Sequence, residues 1–265
     1  MNKKSVSLLI VVLTLIHSVR GSISPKNIDK KHMALGLGGT FVGSVAFHTA
    51  AKKLWGPNYP SFFYGMLRHP SRVGAFAPCS HYTARALTKY IKAPAKSKKH
   101  INVLEVGGGS GVITEEIIHA CKQSGASFHI DCIEIDPHYC KLLRKKFPDE
   151  YITIHEADVR TWQPDKKYDF IISTIPLMQF VFTEQDVQII LDNYKSWSQG
   201  DAVMSYITHV FIPKVAFLFL HGEKKEAYVK KMQKINTFQS NYLFDTEIVW
   251  LNWAPLHVYH LHISP

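Results

Sequence analysis

From residue 101 onward, short apolar runs alternate with stretches whose apolar residues recur every three or four positions. Residues 101–106, 128–135, 151–157, 168–174 and 202–208 are rich in β-branched and aromatic residues and read as buried strands. Helical periods follow at 112–123, 137–147 and 184–198, the last opened by Thr183 with Asp186 three residues on, a capping pair. Residues 215–234 read as a further helix. Two final runs, 244–251 and 256–263, flank Ala254-Pro255 and read as an antiparallel hairpin. Strand–helix alternation closed by a hairpin predicts an α/β fold: a doubly wound, Rossmann-like sheet occupying residues 101–265.

Upstream the pattern changes. Residues 1–22 open with Asn2-Lys3-Lys4 and an apolar run at 5–19, the form of a signal peptide or of a short anchor. Residues 33–51 contain no Asp, Glu, Lys or Arg and approach the length needed to cross a bilayer. Gly36, Gly39, Gly43, Ala46 and Ala50 give this stretch one small-residue face. An apolar N-terminal helix over 33–55 is expected, either embedded in a membrane or packed against protein. Lys3, Lys4, Lys52 and Lys53 suit a hairpin with both ends cytosolic, whereas Arg20, Lys26, Lys30 and Lys31 oppose it. Residues 56–100 form a basic, aromatic lead-in: Tyr59, Phe62, Phe63 and Tyr64, with Trp55 just before, lie near Lys52, Lys53 and Arg68, as in an interfacial belt. A polar linker at 92–100 precedes the first strand.

Composition narrows the function classes. An apolar content of 46% in 265 residues excludes a disordered chain, and a net charge of +10 points to anionic lipid headgroups, to nucleic acid, or to a solvated lysine-rich surface. Cys79, Cys121, Cys132 and Cys140 show no metal-binding or redox spacing and read as core thiols. The histidines are scattered, with His257, His260 and His262 alternating along a strand-like tail, and no metal site is expected.

The informative run is Val103-Leu-Glu-Val-Gly-Gly-Gly-Ser-Gly-Val112, where a strand ends, glycines stand at 107, 109 and 111, and a helix begins. Such glycines permit a tight turn and close backbone approach to a ligand, and the helix start offers free N–H groups. Glu105 would repel a pyrophosphate but can orient the ammonium end of an amino-acid cofactor. Glu134, with Ile135 beside it, ends the second strand, where a carboxylate can take both ribose hydroxyls. Asp158 follows the third strand and can accept from an adenine amino group while Val159 packs on the ring. Asp136 before Pro137 reads as a helix cap. These three elements, in this order and spacing, resemble the class I S-adenosylmethionine-dependent methyltransferases. The resemblance implies S-adenosylmethionine as cofactor, with Gly107, Gly109, Gly111, Ser80, Ser173 and Thr174 completing the candidate binding set.

After the fourth strand comes Ser173-Thr-Ile-Pro-Leu177, lacking the Asn and aromatic by which nucleic-acid adenine methyltransferases hold a base. Arg72-Val-Gly-Ala-Phe-Ala-Pro-Cys-Ser80, the glycine run, Ile171-Ile-Ser-Thr-Ile-Pro-Leu177 and Val249-Trp-Leu-Asn-Trp-Ala-Pro-Leu-His-Val-Tyr259 together resemble the bacterial phospholipid N-methyltransferases. Cys79, Thr174 and Ala254 depart from that family's pattern. The resemblance implies N-methylation of phosphatidylethanolamine toward phosphatidylcholine. His81 and Tyr82 are the candidates for orienting or deprotonating the amine, although they equally suit a helix start near Ser80. Arg72, Arg85 and Lys89 are candidates for the lipid phosphate, Pro176 and Leu177 for substrate contact, and Met178, Phe180, Val181 and Phe182 for an acyl channel or an ordinary core. The expected partners are a phospholipid substrate and an anionic membrane surface, with no nucleic acid and with the catalytic domain on the cytosolic face. The alternatives are an RNA or protein methyltransferase, or a non-catalytic membrane protein retaining the fold.

Overall fold

The structure, a computed structural model, describes residues 49, 52, 79–91, 98–148, 150–178, 181–210, 217, 220–252 and 255–264. The proposed anchor, the apolar helix at 33–55 apart from Thr49 and Lys52, and most of the lead-in, Arg72 included, lie outside these residues. Among the described residues, no helix is long and apolar enough to cross a membrane.

The described elements are α1 (His81–Leu87), β1 (His100–Val106), α2 (Val112–Ser124), β2 (Ser127–Glu134), α3 (Pro137–Lys146), β3 (Ile152–Glu156), β4 (Tyr168–Ser173), α4 (Glu184–Trp197), β5 (Ser198–His209), α5 (Gly222–Tyr242), β6 (Leu243–Val249) and β7 (Leu256–Ile263). The sheet order is β3-β2-β1-β4-β5-β7-β6. Strands β1 to β5 pair in parallel, while β7 runs antiparallel between β5 and β6. Chain order reverses at β1/β4, which opens a crevice at the carboxyl ends of these strands. All five predicted strands and the hairpin are present.

Alternation along the strands divides the core between two faces. Ile101 and Val103 join one cluster with Ile113, Ile117 and Leu143, beneath α1, α2 and α3. Leu104 and Val106 join the other, with Val187, Tyr194 and Ile235 beneath α4 and α5. Burying both faces explains why the strand sequences are apolar throughout rather than alternating.

Local chemistry sets the helix ends. Asp136 caps α3 through the His138 amide at 2.8 Å, with Pro137 following. Thr183 and Asp186 close a reciprocal capping box on α4. The helix expected at 215–234 differs in the structure, which continues α5 to Tyr242 and starts it at Gly222, whose φ is +54°. The run at its end is helical because α5 lies against α4 and packs Ile235, Phe238 and Tyr242 on the core there, a tertiary contact invisible to local periodicity. The four cysteines are free, with Cys121, Cys132 and Cys140 buried.

Candidate active site

The turn between β1 and α2 takes shape because only glycine fits it. Gly107, Gly109 and Gly111 have φ of +90°, +50° and +81°. A Cβ on Gly107 would meet Thr174 Oγ1 at 2.8 Å, and one on Gly111 would meet the Phe147 ring at 2.7 Å. Gly108 is packed as closely, against Cys132 and Leu143. At Gly109 no atom beyond the adjoining residues lies within 4 Å of that position, so the loop is dense on its protein side and open on the other.

Two carboxylates stand behind this loop. Glu105 is fully buried: Oε2 accepts from the Thr114 hydroxyl at 2.7 Å, and Oε1 has no hydrogen-bond partner. Burial pushes its pKa up to about 7, against the opposing pull of the Thr114 hydrogen bond. Glu134 accepts from the Gly109 amide at 2.8 Å through Oε2 and from the Asp136 amide at 2.9 Å through Oε1. Burial raises its pKa and these backbone bonds hold it down. Each Glu134 oxygen keeps acceptor capacity for a hydroxyl.

The remaining predicted contacts divide. Ile135, next to Glu134, is 52% exposed and offers an uncovered apolar surface. Val159 does not: its side chain is in the core beneath α4, because the turn after β3 folds inward and Asn193 holds its carbonyl at 3.0 Å. Asp158 lies at the rim, clasped by Arg160, whose Nη2 is 2.5 Å from Oδ2 and whose Nη1 also reaches Asp186 at 2.8 Å. This pairing, more than burial opposes it, lowers the Asp158 pKa, and an adenine amino group would have to share the carboxylate with Arg160. Ser173 is buried and bonded to the Tyr194 hydroxyl at 2.9 Å, so it serves the core. Thr174 donates to the Gly107 carbonyl at 2.7 Å and acts by fixing the loop.

On the acceptor side, Ser80 caps α1 by accepting from the Thr83 amide, while its own amide donates to Asn252 Oδ1 at 2.7 Å. Thr83 Oγ1 donates to the same oxygen at 2.9 Å. Asn252, in the β6–β7 turn, therefore ties the last sequence motif to the first. Cys79 packs against the core cluster beneath α1, α2 and α3, and its thiol is pushed up to about 12 by burial and then by the Glu105 charge. His81 begins α1 and Tyr82 is 44% exposed. Arg85 is exposed, whereas Lys89 is ion-paired with Asp245 at 2.8 Å and so is not a free phosphate ligand. Pro176 is half-buried. Leu177 is in the core, where the turn after β4 directs it, rather than on a substrate surface. Met178 and Phe182 pack against that core and Val181 is exposed; Phe180 lies outside the described residues. Sequence reasoning missed Arg160 and the role of Asn252, although Arg160 stands two residues after Asp158 and Asn252 lies within a quoted motif.

Comparison with known proteins agrees with this fold. The family model for PRMT5 arginine-N-methyltransferase matches residues 79–180, the span that holds the whole candidate cofactor set. Malonyl-[acyl-carrier protein] O-methyltransferases 1 and 2 of Ilyobacter polytropus are 35% and 32% identical over 78 residues, 29% of this chain. The chain spans only 28% and 29% of their lengths. A crystal structure of an S-adenosylmethionine-dependent methyltransferase from Clostridium acetobutylicum superposes with a TM-score of 0.53 at 10% identity, covering 77% of this chain and 98% of that one. The described domain has the class I S-adenosylmethionine-dependent methyltransferase fold.

Proposed function

We propose that the protein is an S-adenosylmethionine-dependent methyltransferase whose acceptor is the headgroup amine of a phospholipid, phosphatidylethanolamine first. The observation that carries this reading is one sheet edge with two unlike halves. Over β1 and β2 lie an open glycine loop, an orphaned buried carboxylate oxygen on Glu105 and a doubly anchored Glu134. Glu105 suits an ammonium, Glu134 suits ribose hydroxyls, and Ile135 suits an adenine face. When bound, the cofactor supplies a sulfonium methyl group.

The other half lies at the ends of β4 and β5 and the start of β7. The segment 174–182 contains no Asp or Glu, so it has no carboxylate to pair with a guanidinium. That disfavours an arginine acceptor despite the family-model match. At the same edge the β6–β7 turn exposes Trp250 by 63% and Leu251 by 56%, residues suited to a lipid interface. Arg85, exposed on α1, is the candidate cation for a lipid phosphate. The chain's part in the chemistry is to hold an amine against the methyl group and exclude water. Such positioning can supply about 7–11 kcal/mol of a barrier.

The test is incubation with a labelled methyl donor and total lipid extract, followed by separation of products. Label in methylated amine lipids is expected. Label confined to RNA or protein, or absent from every lipid, overturns the reading. The membrane partner and cytosolic face belong to the same proposal, since S-adenosylmethionine is a cytosolic metabolite.

A further inference from the structure

At the acceptor half, β5 outruns β4. Ser173 ends β4 opposite Tyr206, and β5 continues to His209, about 10 Å further at the rise of a strand. Alternation puts His209 on the side of Ser205, which bonds His260, and of Ile207, which packs into the cluster beneath α1. Glu105 shares that face through Ile101 and Val103. His209 therefore stands at the active edge, on the cofactor carboxylate's side of the sheet. Its Nδ1 is sealed from solvent with no hydrogen-bond partner, while the residue as a whole is partly exposed. Nε2 is thus the nitrogen able to meet a ligand.

We propose that His209 accepts the proton of the acceptor amine through Nε2, an inference that rests on the headgroup-amine reading above. A primary ammonium has no lone pair to donate. His209 takes one N–H proton, the freed pair forms the new N–C bond as the S–C bond breaks, and the S–C electron pair stays on sulfur. The imidazolium then returns its proton to solvent. Burial lowers the His209 pKa, keeping the base form available near neutral pH. The titratable groups on the elements packed against β5 are His81, Tyr82 and Arg85 of α1 with Lys89 and Tyr90 just after it, Tyr168 and Asp169 of β4, and His257, Tyr259, His260 and His262 of β7. Burial is the sole cause of its shift.

The test compares the intact wild-type chain with His209→Gln and His209→Ala on phosphatidylethanolamine vesicles, with S-adenosylhomocysteine calorimetry as the check on folding. Expected is a loss in kcat of about 10²-fold or more at pH 7, unchanged S-adenosylhomocysteine affinity, and recovery of rate as pH rises and the amine deprotonates unaided. Nitrogen-15 signals of the His209 ring should also shift when short-chain phosphatidylethanolamine is added to the S-adenosylhomocysteine complex. Variants that keep kcat within threefold and the wild-type pH profile overturn the assignment, as does a ring signal that ignores the lipid. Wild-type protein that methylates no amine lipid overturns the acceptor reading itself, and the His209 role with it.

Discussion

Glu105 and Glu134 end adjacent stretches of the same edge, yet their surroundings give them different work. Glu105 pays for burial with a proton. Its folded pKa of about 7 lies above the ordinary 4.5, so the folded state holds a proton that the unfolded chain releases between those values. Stability should fall as pH rises through that window, by about 3 kcal/mol in all, and level off above it. Glu105→Gln should flatten this dependence, which denaturant titrations at pH 5 and pH 8 would show. A bound ammonium would favour the ionised form, so cofactor affinity should rise with pH through the same range in wild type and not in the variant. Glu134→Ala should weaken S-adenosylmethionine binding by about 10- to 150-fold, the worth of hydrogen bonds to a charged group, as read by calorimetry. Full affinity in that variant would remove the ribose contact. The glycines and both acids were legible in the sequence because a tight turn allows few residue types at few positions. Arg160 and Thr114 were not legible as partners, since which cation or hydroxyl meets a carboxylate depends on how separate segments pack.

Elements were read well where a period or a cap is local. The strands, α2 to α4 and the hairpin follow from runs, glycines and capping residues, whereas the far end of α5 depends on α4. The same limit governs Val159 and Leu177: an apolar residue beside a site motif has the same sequence signature whether it faces ligand or core. Helix α1 shows how short elements borrow order. Its seven residues are too few to be stable alone, and Asn252 fixes their start through Ser80 and Thr83. Asn252→Ala should destabilise the domain by about 1–3 kcal/mol by leaving the buried Ser80 amide without its acceptor. Chemical denaturation would measure this, and the acceptor KM should suffer more than cofactor affinity.

For the whole molecule, the surface charge and the exposed β6–β7 turn act together under the lipid reading. The paired change Trp250→Ala with Leu251→Ala should leave the melting temperature nearly unchanged, since both side chains are largely exposed, while reducing vesicle binding on the order of tenfold or more. Co-sedimentation with anionic vesicles checks it, and added salt should weaken binding in both proteins. The Ser80–Asn252 bond spans 172 residues of chain, which orders events during synthesis on the ribosome. Strands β1 to β4 and their glycine turn emerge long before Asn252, so the methyl-donor half can assemble while the helix that begins at Ser80 still lacks its clasp. A nascent chain stalled before the final hairpin leaves the tunnel should therefore bind donor without yet presenting an ordered receptor for lipid.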